Sequence, residues 1–250
     1  MSLATEMRIE PSQDVLAATR RWLQPVRAAL GTEFAAAYLT GSVLTRGFDS
    51  RHSHVNVLIV ARSLDMSRLE ALGAAIAHRG RPVFEPLFVT RQQIESSLDV
   101  FPIEWLEIQE RHLRLEGDDV FNDLDVPRQA LRSQCEHELR GKHLRLRQGY
   151  VLAYGHPGRL TSTLRASASG MATLFRTLLR LRGETPPADH AHVIERLADL
   201  FRLDAAALLG PHVLRYSTRR PKRNEIEAMY RKFLVELDRL IAAVDALRVE

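Results

Sequence analysis

Three polar side chains alternate at the start of a β-branched run, and they are the first candidates for chemistry in this sequence. His52, His54 and Asn56 are spaced two residues apart, so on a strand they would share one face. Imidazole nitrogens suit zinc and other transition metals. Because structural and catalytic zinc normally has three protein ligands, a solvated polar edge is the competing interpretation.

Glu85 is a second candidate, and it shares a predicted strand face with Val83 and Leu87. A carboxylate among apolar neighbours usually indicates a partner or a site. Gly41-Ser42 follows another apolar run. Taken alone, this dipeptide is compatible with an ordinary turn at the end of a strand.

A cluster of basic residues precedes the last predicted helix. The segment Arg215–Arg223, RYSTRRPKR, contains four arginines and one lysine. Such a segment is typical of a solvated loop. The alternative is a rim that contacts phosphates of a nucleotide or an RNA. Tyr216 is its single aromatic residue, which gives little support for a platform that stacks single-stranded bases.

The elements that must hold these side chains alternate in the first half of the chain. The pattern predicts a helix over 13–30, strands over 33–40 and 54–61, a helix over 63–78 and a strand over 82–89. Pro86 indicates that the last of these strands is an edge or contains a bulge. Helical and short β segments follow to Gly117. This alternation predicts an α/β or α+β domain on a small sheet, with a boundary at residue 126.

From residue 127 the sequence has helical spacing almost throughout. Its apolar positions predict four helices, over 127–153, 160–181, 189–201 and 226–247. Turn residues separate the first three, at 155–158 and 183–187. Four helices with short connections predict a helical bundle over residues 127–250.

The segment Tyr38–Val60, YLTGSVLTRGFDSRHSHVNVLIV, resembles the signature of the nucleotidyltransferase superfamily, whose fold is like that of DNA polymerase β. In that family Gly-Ser precedes a short helix, and a strand beginning Asp-x-Asp follows about a dozen residues later. Asp99–Glu104 and Leu131–Arg147 extend the resemblance, the latter being similar to the bundle that follows the catalytic domain in many bacterial members. The resemblance implies an α+β nucleotidyltransferase-like domain with a small mixed sheet, over 1–126, followed by an all-α helical bundle, over 127–250.

The phosphate-binding half of the family site is present. In the family, the glycine lets a triphosphate approach the backbone, and the serine and neighbouring N–H groups hold its oxygens. The resemblance implies these roles for Gly41 and Ser42. The nearby arginine Arg46 is expected to contribute to phosphate binding as well.

The metal-binding half of the family site is altered. In the family, two aspartates on one strand and a carboxylate from a neighbouring strand hold divalent cations for phosphoryl transfer. The two aspartates fall here on His54 and Asn56, and the resemblance makes Glu85 the candidate third carboxylate. Because the two replacements carry no negative charge, a degenerate metal site is expected, and Mg²⁺ is expected only if the protein is active.

Three functions are compatible with this pattern. The first is a superfamily member with a degenerate metal site that retains at most nucleotide or phosphate binding. The second is an active nucleotidyltransferase that transfers a nucleoside monophosphate to an unknown acceptor. The third is a non-catalytic module that binds a protein partner. The identities of His54 and Asn56 separate the first two, and an obstructed Gly41-Ser42 turn would favour the third.

The composition agrees with an ordinary globular protein. The chain has 250 residues, 45% hydrophobic and 26% charged, with a formal net charge of +4. This excludes a disordered chain, a collagen and a disulfide scaffold, and the single cysteine cannot form an internal disulfide. The sequence contains no run of about 18 apolar residues and no apolar signal-peptide core, so we expect a cytoplasmic protein with no membrane partner.

Overall fold

The computed structural model describes residues 10–45, 48, 53–77, 80–168 and 170–249. The chain folds as two compact units, Met1–Val126 and Pro127–Glu250. The described strands all lie in the first unit, and the second is helical. The α+β class, with a small mixed sheet followed by a helical region, is therefore confirmed.

The elements of the first unit follow the predicted alternation. They are α1 (Gln13–Leu30), β1 (Phe34–Thr40), β2 (Val55–Ala61), α2 (Met66–Ala75), β3 (Phe84–Thr90), α3 (Arg91–Glu95), α4 (Pro102–Glu110) and β4 (His112–Gly117). α1 has the predicted bounds, and its start is capped by Ser12, whose side chain accepts a hydrogen bond from the N–H of Val15.

Four strands form one sheet in the described part of the chain, in the order β3-β2-β1-β4. β1 is antiparallel to both β2 and β4, whereas β2 and β3 are parallel. A parallel pair needs a crossover connection, and the segment between these two strands contains α2. Alternate residues of the sheet belong to one apolar core with residues of α1 and α2, including Val26, Leu30, Ala37, Leu39, Val57, Ile59 and Leu72.

Tyr38 ties the chain after β4 to the centre of the sheet. Its buried hydroxyl accepts a hydrogen bond from the N–H of Val120 at 2.8 Å and donates one to the carbonyl of Asp118 at 2.5 Å. Burial raises the pKa of Tyr38 above its ordinary value. The rings of His112 and Phe121 lie edge-on to its own, with centroids at 5.1 and 5.0 Å.

Gly117 ends β4 at a point where the chain has no room for a side chain. Its φ is +82°, and a Cβ atom there would lie 1.9 Å from the carbonyl oxygen of Ala35. Glycine is therefore required by both backbone conformation and close approach.

β3 is an edge strand, as Pro86 predicts. The N–H of Val55 donates to the carbonyl of Val83 at 2.8 Å. Backbone groups of successive residues in a strand point to opposite sides, so those of Pro86 point away from β2. The missing N–H of proline therefore costs the sheet no hydrogen bond.

The described part of the second unit contains six helices, where four are predicted. They are α5 (Arg128–Leu152), α6 (Pro157–Ser167), α7 (Met171–Leu181), α8 (His190–Phe201), α9 (Ala205–Tyr216) and α10 (Arg223–Asp245). The prediction of a single helix over 160–181 is wrong. α6 ends at Ser167 and α7 begins at Met171, directly after Gly170, which has a φ of +72°. α9 is absent from the prediction because Gly210-Pro211, a turn signal, lies inside it. No described helix has both the length and the apolar character needed to cross a membrane.

The core of the second unit includes the apolar stripe of α10. Its buried residues include Ile226, Tyr230, Phe233, Leu237, Leu240 and Val244. The hydroxyl of Tyr230 donates to the carbonyl of Leu146 in α5 at 2.8 Å. Burial raises the pKa of Tyr230 to about 12. The bundle arrangement of these helices stays a prediction.

Candidate functional site

The Gly41-Ser42 turn is anchored on one side and open on the other. β1 ends at Thr40, and a single 3₁₀ turn, Gly41–Leu44, follows it. Val43 and Leu44 are buried, whereas Gly41 and Ser42 are exposed. Gly41 has a φ of +74°, a left-handed conformation that side chains rarely adopt. The turn is therefore accessible to a ligand.

The sheet brings the predicted site residues Asn56 and Glu85 side by side, and it places Asn56 next to Gly41. Asn56 pairs with Thr40 of β1 on one side and with Glu85 of β3 on the other. Directly paired residues on neighbouring strands point to the same face. The Asn56 amide is also close to the turn, because a Cβ atom at Gly41 would lie 3.4 Å from its Nδ2.

His54 completes this group at the start of β2. Its Nδ1 atom lies 3.3 Å from Oε2 of Glu85, and both side chains are more than half exposed. An exposed pair of this kind contributes little to stability. The pair matters for the site because it places the imidazole of His54 beside Glu85, the one carboxylate among the three predicted metal-ligand positions.

An acidic groove borders these residues, with a volume of about 440 Å³. The described polar residues that line it include Thr40, Asn56, Glu85, two residues of α4, Glu104 and Glu107, and Arg111, which directly follows that helix. Three carboxylates and one guanidinium give this lining an excess of negative charge. The groove therefore favours a cationic group over a bare phosphate.

The α4 residues are the part of the site that sequence reasoning missed. Glu104 and Glu107 are three residues apart on α4, which is the spacing of one helix face, and Arg111 directly follows the helix. That spacing was the available signal. Nothing in the sequence, however, indicates that this face borders the end of β2 and β3.

The described residues contain no ready cluster of metal-ligating side chains. Across the ranges that the structure describes, no three His, Cys, Asp or Glu side chains form a group that could hold a metal ion. Mg²⁺ requires several hard oxygen ligands in near-octahedral geometry, which the neutral Asn56 and the imidazole of His54 do not supply together. Arg46, expected to contribute to phosphate binding, and His52, for which a transition-metal site and a solvated polar edge are the alternatives, lie outside the described residues.

The basic segment Arg215–Arg223 spans the end of α9 and the start of α10. Two of its charges have partners on α10: Arg219 donates to both carboxylate oxygens of Glu225, at 2.9 and 3.1 Å, and Arg223 donates to Glu227 at 2.8 Å. These pairs reduce the positive charge that the segment offers to phosphates. Its contact with RNA stays a prediction.

The fold of this chain is similar to that of a solved adenyltransferase. A solved structure with a similar fold is spectinomycin adenyltransferase AAD(9) from Enterococcus faecialis, determined with ATP and spectinomycin. The match has a TM-score of 0.51 and 14% sequence identity, and it covers 91% of this chain and 100% of that chain. At this identity the likeness establishes the fold alone. No family model and no curated protein matches the chain.

Proposed function

We propose that this chain is a nucleotidyltransferase-superfamily protein whose metal site is degenerate and which retains at most nucleotide or phosphate binding. The observation that carries the proposal is the surroundings of Glu85. An amide, Asn56, pairs with it in the sheet, and an imidazole, His54, lies 3.3 Å from its carboxylate. In the proposed site these two residues stand where the superfamily has metal-binding aspartates.

The physical consequence is the loss of the charge that metal-assisted transfer needs. Divalent cations stabilise the charge that develops on the phosphates by several kcal/mol. Since each ~1.4 kcal/mol corresponds to a tenfold change in rate, losing this term slows the reaction by orders of magnitude. We therefore expect no Mg²⁺-dependent nucleotidyl transfer above background.

Phosphate binding through the turn is the function we expect to survive. The exposed Gly41-Ser42 turn supports this proposal, and Arg46 is proposed to assist. The exposure also argues against the interaction-module hypothesis in its simplest form, which expects an obstructed turn. Because the acidic groove repels phosphate, the surviving affinity is expected to be weak.

An active nucleotidyltransferase is the second candidate, and one observation favours it. Glu104 and Glu107 of α4 line the same groove as Glu85, so the groove has the negative charge that attracts a cation, although the three carboxylates form no metal-binding group in this arrangement. The acidic lining would also suit an acceptor that carries amino groups. ATP and spectinomycin, the ligands of the similar structure, are therefore the natural first pair of compounds to test.

A thermal-shift and transfer assay decides between these two functions. The natural protein is heated with ATP, with and without Mg²⁺ or Mn²⁺, and is also incubated with labelled ATP and spectinomycin. A ligand at a hundred times its Kd adds about 2.7 kcal/mol of stability. We expect a small shift with ATP that does not depend on metal, and no labelled product. Ser42→Ala should reduce the shift, whereas Ser133→Ala, on the exposed surface of α5, should not.

Metal-dependent transfer of the label would contradict the proposal. If label is transferred in the presence of Mg²⁺, and Glu85→Ala abolishes the transfer while Glu95→Ala does not, the degenerate interpretation is wrong. The second candidate then takes its place. Absence of any shift with ATP, at concentrations that saturate ordinary nucleotide sites, would leave only the interaction module.

A further inference from the structure

A second groove shares Glu85 with the acidic groove, but it extends past His54 towards α1. It lies between α1, the segment after α2 and the start of β3, and we call it the aromatic groove. Its volume is about 800 Å³. Small-molecule sites in proteins commonly enclose about 300–1,000 Å³, so the groove is large enough for a nucleotide-sized ligand.

Two aromatic rings form the apolar wall of this groove. Trp22 of α1 and Phe84 of β3 are stacked, with ring centroids 5.0 Å apart and planes 23° apart. Both side chains are only partly buried, although Phe84 packs against the sheet core. Pro82 and Pro86 extend the same lining. Rigid, partly exposed rings of this kind stack on flat ligands at low entropic cost.

The charge of the aromatic groove is opposite to that of the acidic groove. Among the described residues, its lining contains two guanidinium groups, on Arg21 and on Arg81, which already takes part in another interaction, and one carboxylate, on Glu85. That carboxylate has the imidazole of His54 beside it. Guanidinium groups bind phosphate and carboxylate oxygens in a bidentate manner. Of the two grooves that Glu85 borders, this one therefore suits an anion.

We propose that the aromatic groove is a second small-molecule site, which binds a flat aromatic ligand carrying a negative charge, of the kind represented by a nucleoside monophosphate. The flat part of the ligand lies against Trp22, and its anionic part is held by Arg21. The site is separate from the Gly41-Ser42 turn and does not depend on the function proposed for that turn. A ligand in it reaches His54 and Glu85, and Glu85 also borders the acidic groove.

Trp22 provides a direct signal for binding, because the chain has two tryptophans and the other one can be replaced. Trp105 is buried in α4, where its indole N–H donates to Ser97, and Trp105→Phe leaves Trp22 as the sole emitter. This variant is titrated without metal with AMP, adenosine and ribose 5-phosphate. We expect saturable quenching by AMP, and at least tenfold weaker binding of the other two, which each lack one of the recognised groups. Calorimetric titration of the natural chain repeats the comparison without the substitution.

Matched variants locate the AMP site. Arg21→Ala is expected to weaken AMP binding about tenfold and to leave adenosine binding unchanged, because it removes a phosphate contact. Arg20→Ala, the neighbouring exposed arginine on α1 that lines a different groove, should have no effect. Ser42→Ala should also have no effect on quenching of Trp22.

Two results would overturn the proposal. The first is that AMP binds no more tightly than adenosine and ribose 5-phosphate, which would show that the base and the phosphate are not recognised together. The other is equal AMP affinity in the Arg21 and Arg20 variants. If AMP binding instead responds to Ser42→Ala and not to Arg21→Ala, the aromatic groove is excluded while the function proposed for the turn is supported.

Discussion

Asn56 and Glu85 are direct partners in the parallel ladder of β2 and β3, so an amide and a carboxylate leave the same face of the sheet side by side. Two carboxylates at these positions would repel each other unless a cation lay between them. An amide creates no such repulsion, and it can donate a hydrogen bond to its neighbour. Between these two side chains there is therefore no charge repulsion for a cation to offset.

Restoring the two aspartates should restore a cation requirement. In the double variant with His54→Asp and Asn56→Asp, we expect lower stability than in the natural protein without metal, because three carboxylates then converge. Mg²⁺ should raise the melting temperature of the double variant but not that of the natural protein. Calorimetry with Mg²⁺ checks the same point. If the double variant shows no response to the metal, Glu85 is not positioned as a metal ligand.

Neutralising one carboxylate of α4 should improve anion binding at the acidic groove. We expect Glu107→Gln to tighten metal-free binding of ATP about two- to tenfold, since it removes one of three negative charges from the lining. The gain should shrink as salt is added. Glu110→Gln, on the same helix but outside the groove lining, is the control. Equal affinities in the two variants would show that phosphate does not enter this groove.

Gly117 offers a test of the sheet end that is independent of function. Gly117→Ala should destabilise the fold by about 3 kcal/mol or more, because the residue has a positive φ and the new methyl group would collide with the carbonyl of Ala35. Gly80→Ala has open space around its Cβ position and should change stability little. Urea unfolding of both variants gives the comparison, and a mild effect at Gly117 would contradict the described close approach.

Tyr230 should make the stability of the protein pH-dependent in alkali. Its pKa is raised from 10.0 to about 12 in the folded chain, so its contribution is complete below pH 10 and is lost as the pH rises towards 12. At neutral pH, Tyr230→Phe should cost about 1 kcal/mol through the lost hydrogen bond to Leu146. The difference between the two proteins should shrink above pH 10. Urea unfolding on both sides of that pH checks this, and a constant difference would refute it.

The sequence predicts the elements of the sheet well because their signals are local. α1 has the predicted bounds, and β1 and β2 begin one residue later than predicted and end where predicted. The i, i+2 spacing of His54 and Asn56 is enough to place them on one face. Strand alternation and helical periodicity survive folding unchanged, since both follow from backbone geometry.

The remaining features depend on contacts between distant parts of the chain. Glu104 and Glu107 belong to the acidic groove only because the fold brings α4 to the first residues of β2 and β3, and no local pattern encodes that arrangement. The helix predicted over 160–181 fails for a related reason, because apolar spacing continues across Gly170 although the backbone turns there. α9 shows the reverse case, since tertiary packing tolerates Pro211 inside a helix.

Pro86, within the edge strand β3, affects whether two copies of this protein can associate through their sheets. An edge strand with a full row of outward N–H groups invites the strand of another molecule to extend the sheet, which is a common start of aggregation. Pro86 interrupts that row beside Glu85, where an added strand would also bury a charged side chain. The chain thus keeps an intermolecular β-sheet from forming next to both grooves, and the same residue that marks the edge protects the candidate site from self-association.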